Sequence, residues 1–154
     1  MPKKKNFEDI VLINEIIDKC DVCYIGMVDE EQMPYVLPFN FGYHNNTLYL
    51  HGSGNGKKID ILKKNINVCV AFSTDHELKA VNDNVACSYS MSFRSVLMYG
   101  KVSFITDYEK KEEALNYIMQ KYTGKDFSYN KPAVNDICIF KVNIEKMTGK
   151  SSGY

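Results

Sequence analysis

Residues 51–58, with the sequence His-Gly-Ser-Gly-Asn-Gly-Lys-Lys, have the composition of an anion-binding loop. They follow a short apolar run at 47–50 and precede a helical pattern for which Asn55 is the predicted N-cap. Gly56 and the two lysines then occupy the first helical turn, where the helix dipole disfavours cations by roughly 0.3–1 kcal/mol. An anion bound among the lysines and the free N–H groups of the glycine loop would offset that cost. We therefore expect a phosphate group to bind here.

Neither of the common nucleotide-binding glycine motifs accounts for this segment. A Walker A loop has four residues between its first glycine and Gly-Lys, followed by Ser or Thr. Here three residues separate Gly52 from Gly56, and Lys58 stands where the hydroxyl residue should be. A G-x-G-x-x-G fingerprint fails at its last spacing, because Gly56 follows Gly54 too closely. A flexible turn before a solvated, lysine-rich helix explains the same residues equally well at this level.

The composition predicts one cytoplasmic domain over residues 1–154. Lys and Arg together number 19, as do Asp and Glu, and this balance gives no support for a nucleic-acid or membrane partner. No apolar stretch reaches the length of a membrane span, and no signal-peptide core follows the N-terminal lysines. Lys3, Lys4 and Lys5 are expected to be solvated, in a disordered tail at 1–5.

The five cysteines are scattered among apolar residues, which favours reduced core thiols over a disulfide framework. Cys20 and Cys23 have C-x-x-C spacing, but they follow a predicted helix rather than begin one, where a thiolate would be stabilised. A structural role is therefore expected for both. No second C-x-x-C or pair of histidines completes a zinc site, so no metal is expected. No Ser-His-Asp set or pair of carboxylates indicates hydrolysis.

Hydrophobic periodicity predicts a mainly β fold with peripheral helices. Helices are expected at 6–19, after residue 55, and at about 106–122, while the polar segment 74–90 is expected to be irregular. Six strands follow in hairpin-like succession, at 23–28, 33–43, 47–51, 66–73, 92–106 and 136–146. A parallel α/β sheet would need regular alternation of strands and helices. We therefore expect a six-stranded antiparallel sheet or small barrel.

The strand predicted at 33–43 has two distinct faces. Alternation places five aromatic or aliphatic side chains on one face, which suits a core: Tyr35, Leu37, Phe39, Phe41 and Tyr43. The other face includes Pro38, Asn40 and Gly42, which are small or polar. A flat ligand needs close backbone approach and a few hydrogen-bonding groups, and this second face offers both. Asn40 is explained equally well as a satisfied polar residue at a strand edge.

The order of these residues resembles that of the pyridoxamine 5′-phosphate oxidase-like split-barrel flavoproteins, and within them the nitroimidazole-resistance (Nim-type) branch. The resemblance covers roughly residues 20–150 and rests on several spaced blocks. These blocks are Pro-Tyr-Val-Leu-Pro-Phe-Asn-Phe-Gly-Tyr at 34–43, Leu-Tyr-Leu-His-Gly at 48–52, Gly-Lys-Lys at 56–58, Asp-His-Glu-Leu at 75–78, Arg-Ser-Val at 94–96 and Ile-Glu-Lys-Met-Thr-Gly-Lys at 144–150.

The resemblance implies an FMN cofactor, a six-stranded split β-barrel and a homodimer with flavin sites at the subunit interface. It implies these cofactor contacts from one subunit: Pro38, Phe39, Asn40, Phe41, His51, Gly52, Ser53, Gly56, Lys57 and Lys58. Arg94 and Ser95 match positions that contact the flavin from the partner subunit. The family's oxidases have Ser-Arg-Lys in place of Gly-Lys-Lys. Because lysine lacks the bidentate geometry of arginine, FAD could be tolerated besides FMN.

The resemblance and the loop together predict a flavin-dependent reductase of small nitro-aromatic compounds, such as 5-nitroimidazoles, or of related electron acceptors. Nothing at the C-terminus matches the oxidases' pyridoxal phosphate site, so pyridoxamine phosphate oxidation is not expected. His51 is the candidate catalytic residue, as a proton donor to the reduced substrate or the flavin edge. Two alternatives remain open. One is a non-catalytic flavin-binding or redox-sensing module, and the other is a haem-binding split barrel with His51 as ligand.

Overall fold

Long antiparallel strands dominate the structure, a computed structural model that describes residues 2–154. The strands are β1 (Lys4–Phe7), β2 (Cys23–Val28), β3 (Pro34–Phe39), β4 (Gly42–His44), β5 (Thr47–Ser53), β6 (Asn67–Ala80), β7 (Tyr89–Ile105) and β8 (Ile137–Ser152). The helices are α1 (Ile10–Lys19), α2 (Lys57–Lys64), α3 (Tyr108–Thr123) and α4 (Lys131–Asp136). Within residues 2–154, none of the helices combines the length and the apolar character that crossing a membrane requires.

All eight strands join one antiparallel sheet. Its order is β3-β2-β6-β7-β8-β5-β4, and β1 pairs with the far end of β8. The strands at the two ends of this order, β3 and β4, are separated in the chain only by Asn40 and Phe41. The sheet therefore curls until its two ends meet at that break. The expected mainly β, antiparallel fold with peripheral helices is confirmed, but the sheet has eight strands rather than six.

Two segments account for the difference in strand number. The strand expected at 33–43 is interrupted at residues 40 and 41, because side-chain alternation carries no signal for a bend in the backbone. The expected tail is also partly wrong, since residues 4–7 pair with 149–152 as β1. Lys4 and Lys5 nevertheless keep their side chains exposed, because strand pairing uses the backbone alone. Met1 belongs to the same expected tail and lies outside the described residues.

β6 and β7 form a long hairpin that extends into the segment expected to be irregular. Residues 77–80 pair with residues 89–92, beyond a shift of register between Thr74 and Glu77. Asp75 lies at that shift and has a φ of 57°. Because a bulge of this kind interrupts the apolar alternation of a strand, the sequence at 74–90 has no clear strand pattern.

The main core lies inside the curled sheet and is covered by α1. Ile13, Ile16 and Ile17 of this helix are at most 1% exposed and belong to the same cluster as the inward side chains of the sheet. Burial of each such side chain contributes roughly 1.5–3 kcal/mol. The Asp9 carboxylate accepts hydrogen bonds from the first two N–H groups beyond the start of α1, and so fixes where the helix begins.

Candidate functional site

The loop expected to bind an anion connects β5 to α2. The helix begins at Lys57, and Gly56 occupies the N-cap position instead of Asn55, so that prediction is wrong. Gly56 has a φ of 110°, a conformation available to glycine but rarely to other residues, and this turns the chain one residue later than expected. The Ser53 hydroxyl donates a 2.9 Å hydrogen bond to the Asn55 carbonyl oxygen. The helix therefore begins without a side-chain cap.

Lys58 lies across the end of β5. A Cβ atom placed on Gly52 would come within 3.0 Å of Lys58 Cε and 3.2 Å of its Nζ. The same Nζ lies 5.7 Å from the ring centroid of Phe39. The missing side chain at Gly52 thus leaves the space through which Lys58 passes. This packing brings a cation to the end of β5, where His51 also lies.

Lys57 turns towards a different part of the structure. Its Nζ lies 4.7 Å from the ring centroid of Tyr35, which precedes Phe39 on β3. Lys57 also lines a groove of about 590 Å³ together with acidic residues that include Asp29. Within residues 2–154, neither Lys57 nor Lys58 forms an ion pair with a carboxylate. Both cations are available to an anion, although their side chains diverge.

His51 follows the buried Leu50 on β5 and faces outward. Its backbone is in register with Ile139 of β8. Burial by the surrounding protein, and to a lesser extent the Lys58 ammonium, lowers the pKa of His51, although part of the ring stays exposed to solvent. The imidazole is therefore mostly neutral at pH 7, with one ring nitrogen donating and the other accepting hydrogen bonds.

The four cofactor contacts expected at the end of β3 divide into two kinds. Pro38 and Asn40 are exposed, whereas Phe39 and Phe41 point into the core and are 8% and 0% exposed. Each buried ring makes an edge-to-face contact with another core phenylalanine, at centroid distances of 5.9 and 5.3 Å. The predicted aromatic core face is thus confirmed at these positions. A ligand on the outer side would meet mainly the backbone of the two phenylalanines.

Tyr122 of α3 secures the break between β3 and β4, and sequence reasoning missed it. The Phe41 N–H donates a 3.1 Å hydrogen bond to the Tyr122 oxygen, and the Tyr122 hydroxyl donates a 2.6 Å bond to the Asp21 carbonyl. Asn40 Nδ2 lies 3.4 Å from the same phenolic oxygen. These partners are at least 81 residues from Tyr122 in the chain, so no local motif marks it. Asn40 has a protein partner, as expected of a polar residue at a strand edge.

Arg94 and Ser95 lie on opposite faces of β7, because consecutive residues of a strand alternate. Arg94 Nη1 forms an ion pair with Asp75 Oδ2 at 2.8 Å. Ser95 is in register with Ser73 of β6, on the outer side of the sheet. The two side chains therefore cannot both point from this strand towards the same side of a flat ligand.

Arg94 and Ser95 pair with β8 at the opposite end from the residues of β5 that precede the loop. Arg94 is in register with Ser151 of β8, whereas His51 is in register with Ile139 of the same strand. The intervening stretch of β8 is roughly 40 Å long when measured along the strand. The direct distance is shorter because the strand is curved. Along β8, the predicted contacts on β7 are thus separated from those at the end of β5.

The outer sheet face, defined here by Tyr24, Val36, Leu97 and Tyr99, exposes a continuous apolar surface. These side chains are 51%, 59%, 39% and 42% exposed, respectively. Strand register connects Leu97 through β6 to Tyr24, and Tyr99 through β6 and β2 to Val36. Ser95 lies on the same side of β7. Contiguous exposed apolar surface of this kind is typical of an interaction site.

Among the cysteines, Cys138 lies beside the predicted loop, in register with Gly52. Cys20 and Cys23 are buried and form no disulfide, and burial raises the pKa of Cys23 to about 12. Among residues 2–154, no group of three His, Cys, Asp or Glu side chains could hold a metal ion. A groove of about 850 Å³ next to α3 includes the stacked rings of His44 and Tyr117, but none of the expected site residues.

Two comparisons relate the chain to known proteins at the level of the family. The family described as pyridoxamine 5′-phosphate oxidase matches residues 12–151. A candidate 5-nitroimidazole antibiotic resistance protein from Bacteroides thetaiotaomicron has 45% sequence identity and a TM-score of 0.88, with 99% of this chain and 89% of that chain covered. No curated protein matches the chain.

More distant structures share the fold. A flavocytochrome from Azotobacter vinelandii has 20% identity and a TM-score of 0.80, with 95% of this chain and 68% of that chain covered. The FAD and heme binding protein from Mycobacterium smegmatis has 16% identity and a TM-score of 0.84, with 97% of this chain and 74% of that chain covered. The family match spans nearly the whole chain and agrees with the spaced sequence blocks. The chain therefore belongs to the pyridoxamine 5′-phosphate oxidase family, with its split-barrel fold.

Proposed function

We propose that this protein is a flavin-dependent reductase that passes electrons to small nitro-aromatic compounds or related acceptors. The observation that carries the proposal is the position of Lys58 across Gly52, which brings a cation to a glycine loop in a chain of this family. Nitro compounds are supported as acceptors by the Bacteroides protein, which is 45% identical and is described as a candidate 5-nitroimidazole resistance protein.

The β5–α2 loop suits the phosphate of FMN. Apart from Gly56 itself and its two chain neighbours, no residue has an atom within 4 Å of the place where a Cβ of Gly56 would be, so there is room for a group at the start of α2. The positive end of the helix dipole and the ammonium groups of Lys57 and Lys58 would both attract a phosphate. Because lysine lacks the bidentate phosphate geometry of arginine, the longer FAD is also compatible with this loop.

A flavin bound here would supply the hydride and electron transfer, while the protein orients it and moves protons. The exposed side chains of Pro38, Asn40 and Ser53 can line the ring without reacting with it. We assign His51 the role of proton donor, because it faces outward next to Gly52. Its lowered pKa keeps the ring mostly neutral at pH 7, so protonation of His51 would limit proton donation there.

We also propose that the site is completed by a second copy of the chain. Arg94 and Ser95 pair with the opposite end of β8 from the end that pairs with His51. The outer sheet face exposes apolar side chains next to Ser95, and pairing two such faces would remove them from water. Such a homodimer would allow β7 of one subunit to approach the loop of the other.

The first experiment is a visible absorption spectrum of the purified protein, with mass spectrometry of any released cofactor. We expect flavin absorption, or its appearance after incubation with FMN. When a reduced nicotinamide nucleotide is added under anaerobic conditions, its oxidation should depend on the presence of a 5-nitroimidazole. Protein that stays colourless with both FMN and FAD would overturn the proposal. Bound flavin that is reduced but passes no electrons to nitro compounds or quinones would indicate a non-catalytic flavin-binding module instead.

A further inference from the structure

Arg94 is held from two directions at the base of the β6–β7 hairpin. Its Nη1 donates a 2.8 Å hydrogen bond to Asp75 Oδ2, and Lys19 Nζ lies 3.2 Å from the same oxygen. The Arg94 Cζ lies 3.9 Å from the ring centroid of Tyr154. The Tyr154 hydroxyl donates a 2.7 Å hydrogen bond to the Asp75 carbonyl oxygen. Asp75 and Tyr154 thus contact each other as well as the arginine.

The backbone of Asp75 contributes to this arrangement. Its φ of 57° at the register shift of β6 is uncommon outside glycine, although aspartate and asparagine tolerate it better than most residues. The hydrogen bond from Arg94 is the main cause that lowers the pKa of Asp75, so the carboxylate is ionised at neutral pH. The side chains of Arg94 and Asp75 are 28% and 22% exposed, so the pair is partly shielded from solvent.

The Arg94 guanidinium retains donors for a ligand. It carries five N–H groups, and among residues 2–154 its hydrogen-bond partner is Asp75, which uses one of them. Stacking against Tyr154 covers one face of the guanidinium and limits how it can turn. A guanidinium held in this way loses less conformational freedom when it binds, which favours affinity.

We propose that Asp75 and Tyr154 are positioning residues that hold Arg94 for the flavin ring bound by a second subunit, and that the Asp75 charge tempers the effect of Arg94 on the flavin potential. This inference rests on the proposed function, because it requires both a flavin and a second copy of the chain. A cation near the ring stabilises the more negative, reduced flavin. A carboxylate 2.8 Å from that cation offsets part of its field.

The test compares the midpoint potential of the bound flavin in wild-type protein, Asp75→Asn, Arg94→Met and the double variant. Asparagine tolerates the same backbone conformation and still accepts a hydrogen bond, so Asp75→Asn removes mainly the charge. We expect the potential to rise in Asp75→Asn and to fall in Arg94→Met. In the Arg94→Met background, Asp75→Asn should raise the potential by less, because the carboxylate stays paired with Lys19 and acts on the flavin only through its own partly compensated field.

A second arm measures the flavin dissociation constant. Tyr154→Leu removes the stacked ring and should weaken flavin binding roughly 5-fold, whereas Tyr154→Phe keeps the ring and should stay close to wild type. Lys19→Met is the matched control, since it removes the other cation at Asp75 but leaves the Arg94 ion pair. It should shift the potential less than Asp75→Asn does and leave the dissociation constant unchanged.

Several outcomes would overturn the inference. The inference is wrong, while the proposed function stands, if the flavin in Asp75→Asn has the wild-type potential. The same holds if Asp75→Asn shifts the potential equally in the wild-type and Arg94→Met backgrounds. If Asp75→Asn does not fold, the Tyr154 arm decides, and equal affinity of Tyr154→Leu and wild type overturns the positioning role. Wild-type protein that binds no flavin overturns the proposed function and this inference together.

Discussion

The Lys58 side chain occupies the space that a Cβ atom on Gly52 would need, with Cε at 3.0 Å and Nζ at 3.2 Å from that position. Gly52 is not among the glycines with positive φ, which are Gly56, Gly124 and Gly153. What the structure requires at Gly52 is therefore the absence of a side chain rather than a special backbone conformation. This contact connects the start of α2 to the end of β5, where His51 lies.

Gly52→Ala should weaken FMN binding about tenfold while leaving the fold intact, because the methyl group displaces a flexible lysine and a charge-assisted hydrogen bond to the phosphate is lost. Fluorescence titration with FMN measures the effect. Gly54→Ala is the matched control, since its Cβ would lie an ordinary 3.9 Å from the nearest atom, Cys138 Cβ. Equal affinities of the two variants would contradict the role of the Lys58–Gly52 packing.

Lys58→Ala should lower the affinity for FMN but hardly change that for riboflavin, which lacks the phosphate. We expect a loss of roughly tenfold for FMN, the size of one charge-assisted hydrogen bond. Lys57→Ala should have a smaller effect, because Lys57 turns towards Tyr35 and the separate groove. If wild-type protein binds riboflavin and FMN equally tightly, the phosphate assignment is wrong.

Turnover should rise as the pH falls from about 7.5 to about 5.5, because the imidazolium of His51 is the stronger proton donor and accumulates only below its lowered pKa. The rise should be absent from His51→Gln, which should retain bound flavin. The measurement is the turnover number against pH for both proteins at full flavin occupancy. Identical profiles would leave His51 with a packing role only.

The same lowered pKa affects folding stability with a definite sign. Burial and Lys58 make the folded protein bind the His51 proton less readily than the unfolded chain does. The stabilising contribution of neutral His51 to folding is therefore complete above about pH 6.5. It should be lost as the pH falls through the folded pKa. Denaturant unfolding at several pH values should therefore show a shallower acid-side decline for His51→Gln than for wild type. A steeper decline in the variant would contradict this assignment.

Leu97→Lys should disrupt the proposed homodimer, since it places a charge on the outer sheet face. An unpaired charge buried in an interface should weaken dimerisation roughly 100-fold or more. Sedimentation velocity measures the change. Val81→Lys is the control, because Val81 is 95% exposed on the β6–β7 turn. A wild-type monomer, or a dimer unaffected by Leu97→Lys, would refute the use of this face.

Tyr122→Phe should destabilise the protein by about 1–3 kcal/mol, because the Phe41 N–H and the Asp21 carbonyl lose their hydrogen-bond partner. Thermal unfolding should show a decrease in Tm. Tyr24→Phe should have little effect, because the Tyr24 side chain is 51% exposed and its hydroxyl makes no hydrogen bond within residues 2–154. Equal melting temperatures for the two variants would show that the break at residues 40 and 41 does not depend on Tyr122.

The family and the fold class were accessible from the sequence because both depend on local information. Alternating burial along β7 reflects which side chains favour water, and this pattern can be seen without knowing the partner strands. The blocks around 34–43, 48–52 and 56–58 occur in the order expected of the family, and the match over residues 12–151 agrees with them. The residues of the candidate loop could thus be named from their types and spacing alone.

The contacts within the candidate site were decided by the tertiary structure. The divergence of Lys57 from Lys58 depends on where each side chain meets an aromatic ring of β3. The opposite faces of Arg94 and Ser95 follow from the strand formed by β7. Composition and spacing could not show the role of Tyr122, because its partners are distant in the chain.

By itself, the sequence determined the family, the antiparallel β architecture and a glycine loop followed by two lysines. Only the tertiary structure decided the eight-strand register, the space that Gly52 leaves for Lys58 and the ion pair of Asp75 with Arg94. The physical reason is that side-chain polarity and glycine content are properties of each residue. Register, close approach and charge pairing arise from the packing of many residues that are far apart in the chain.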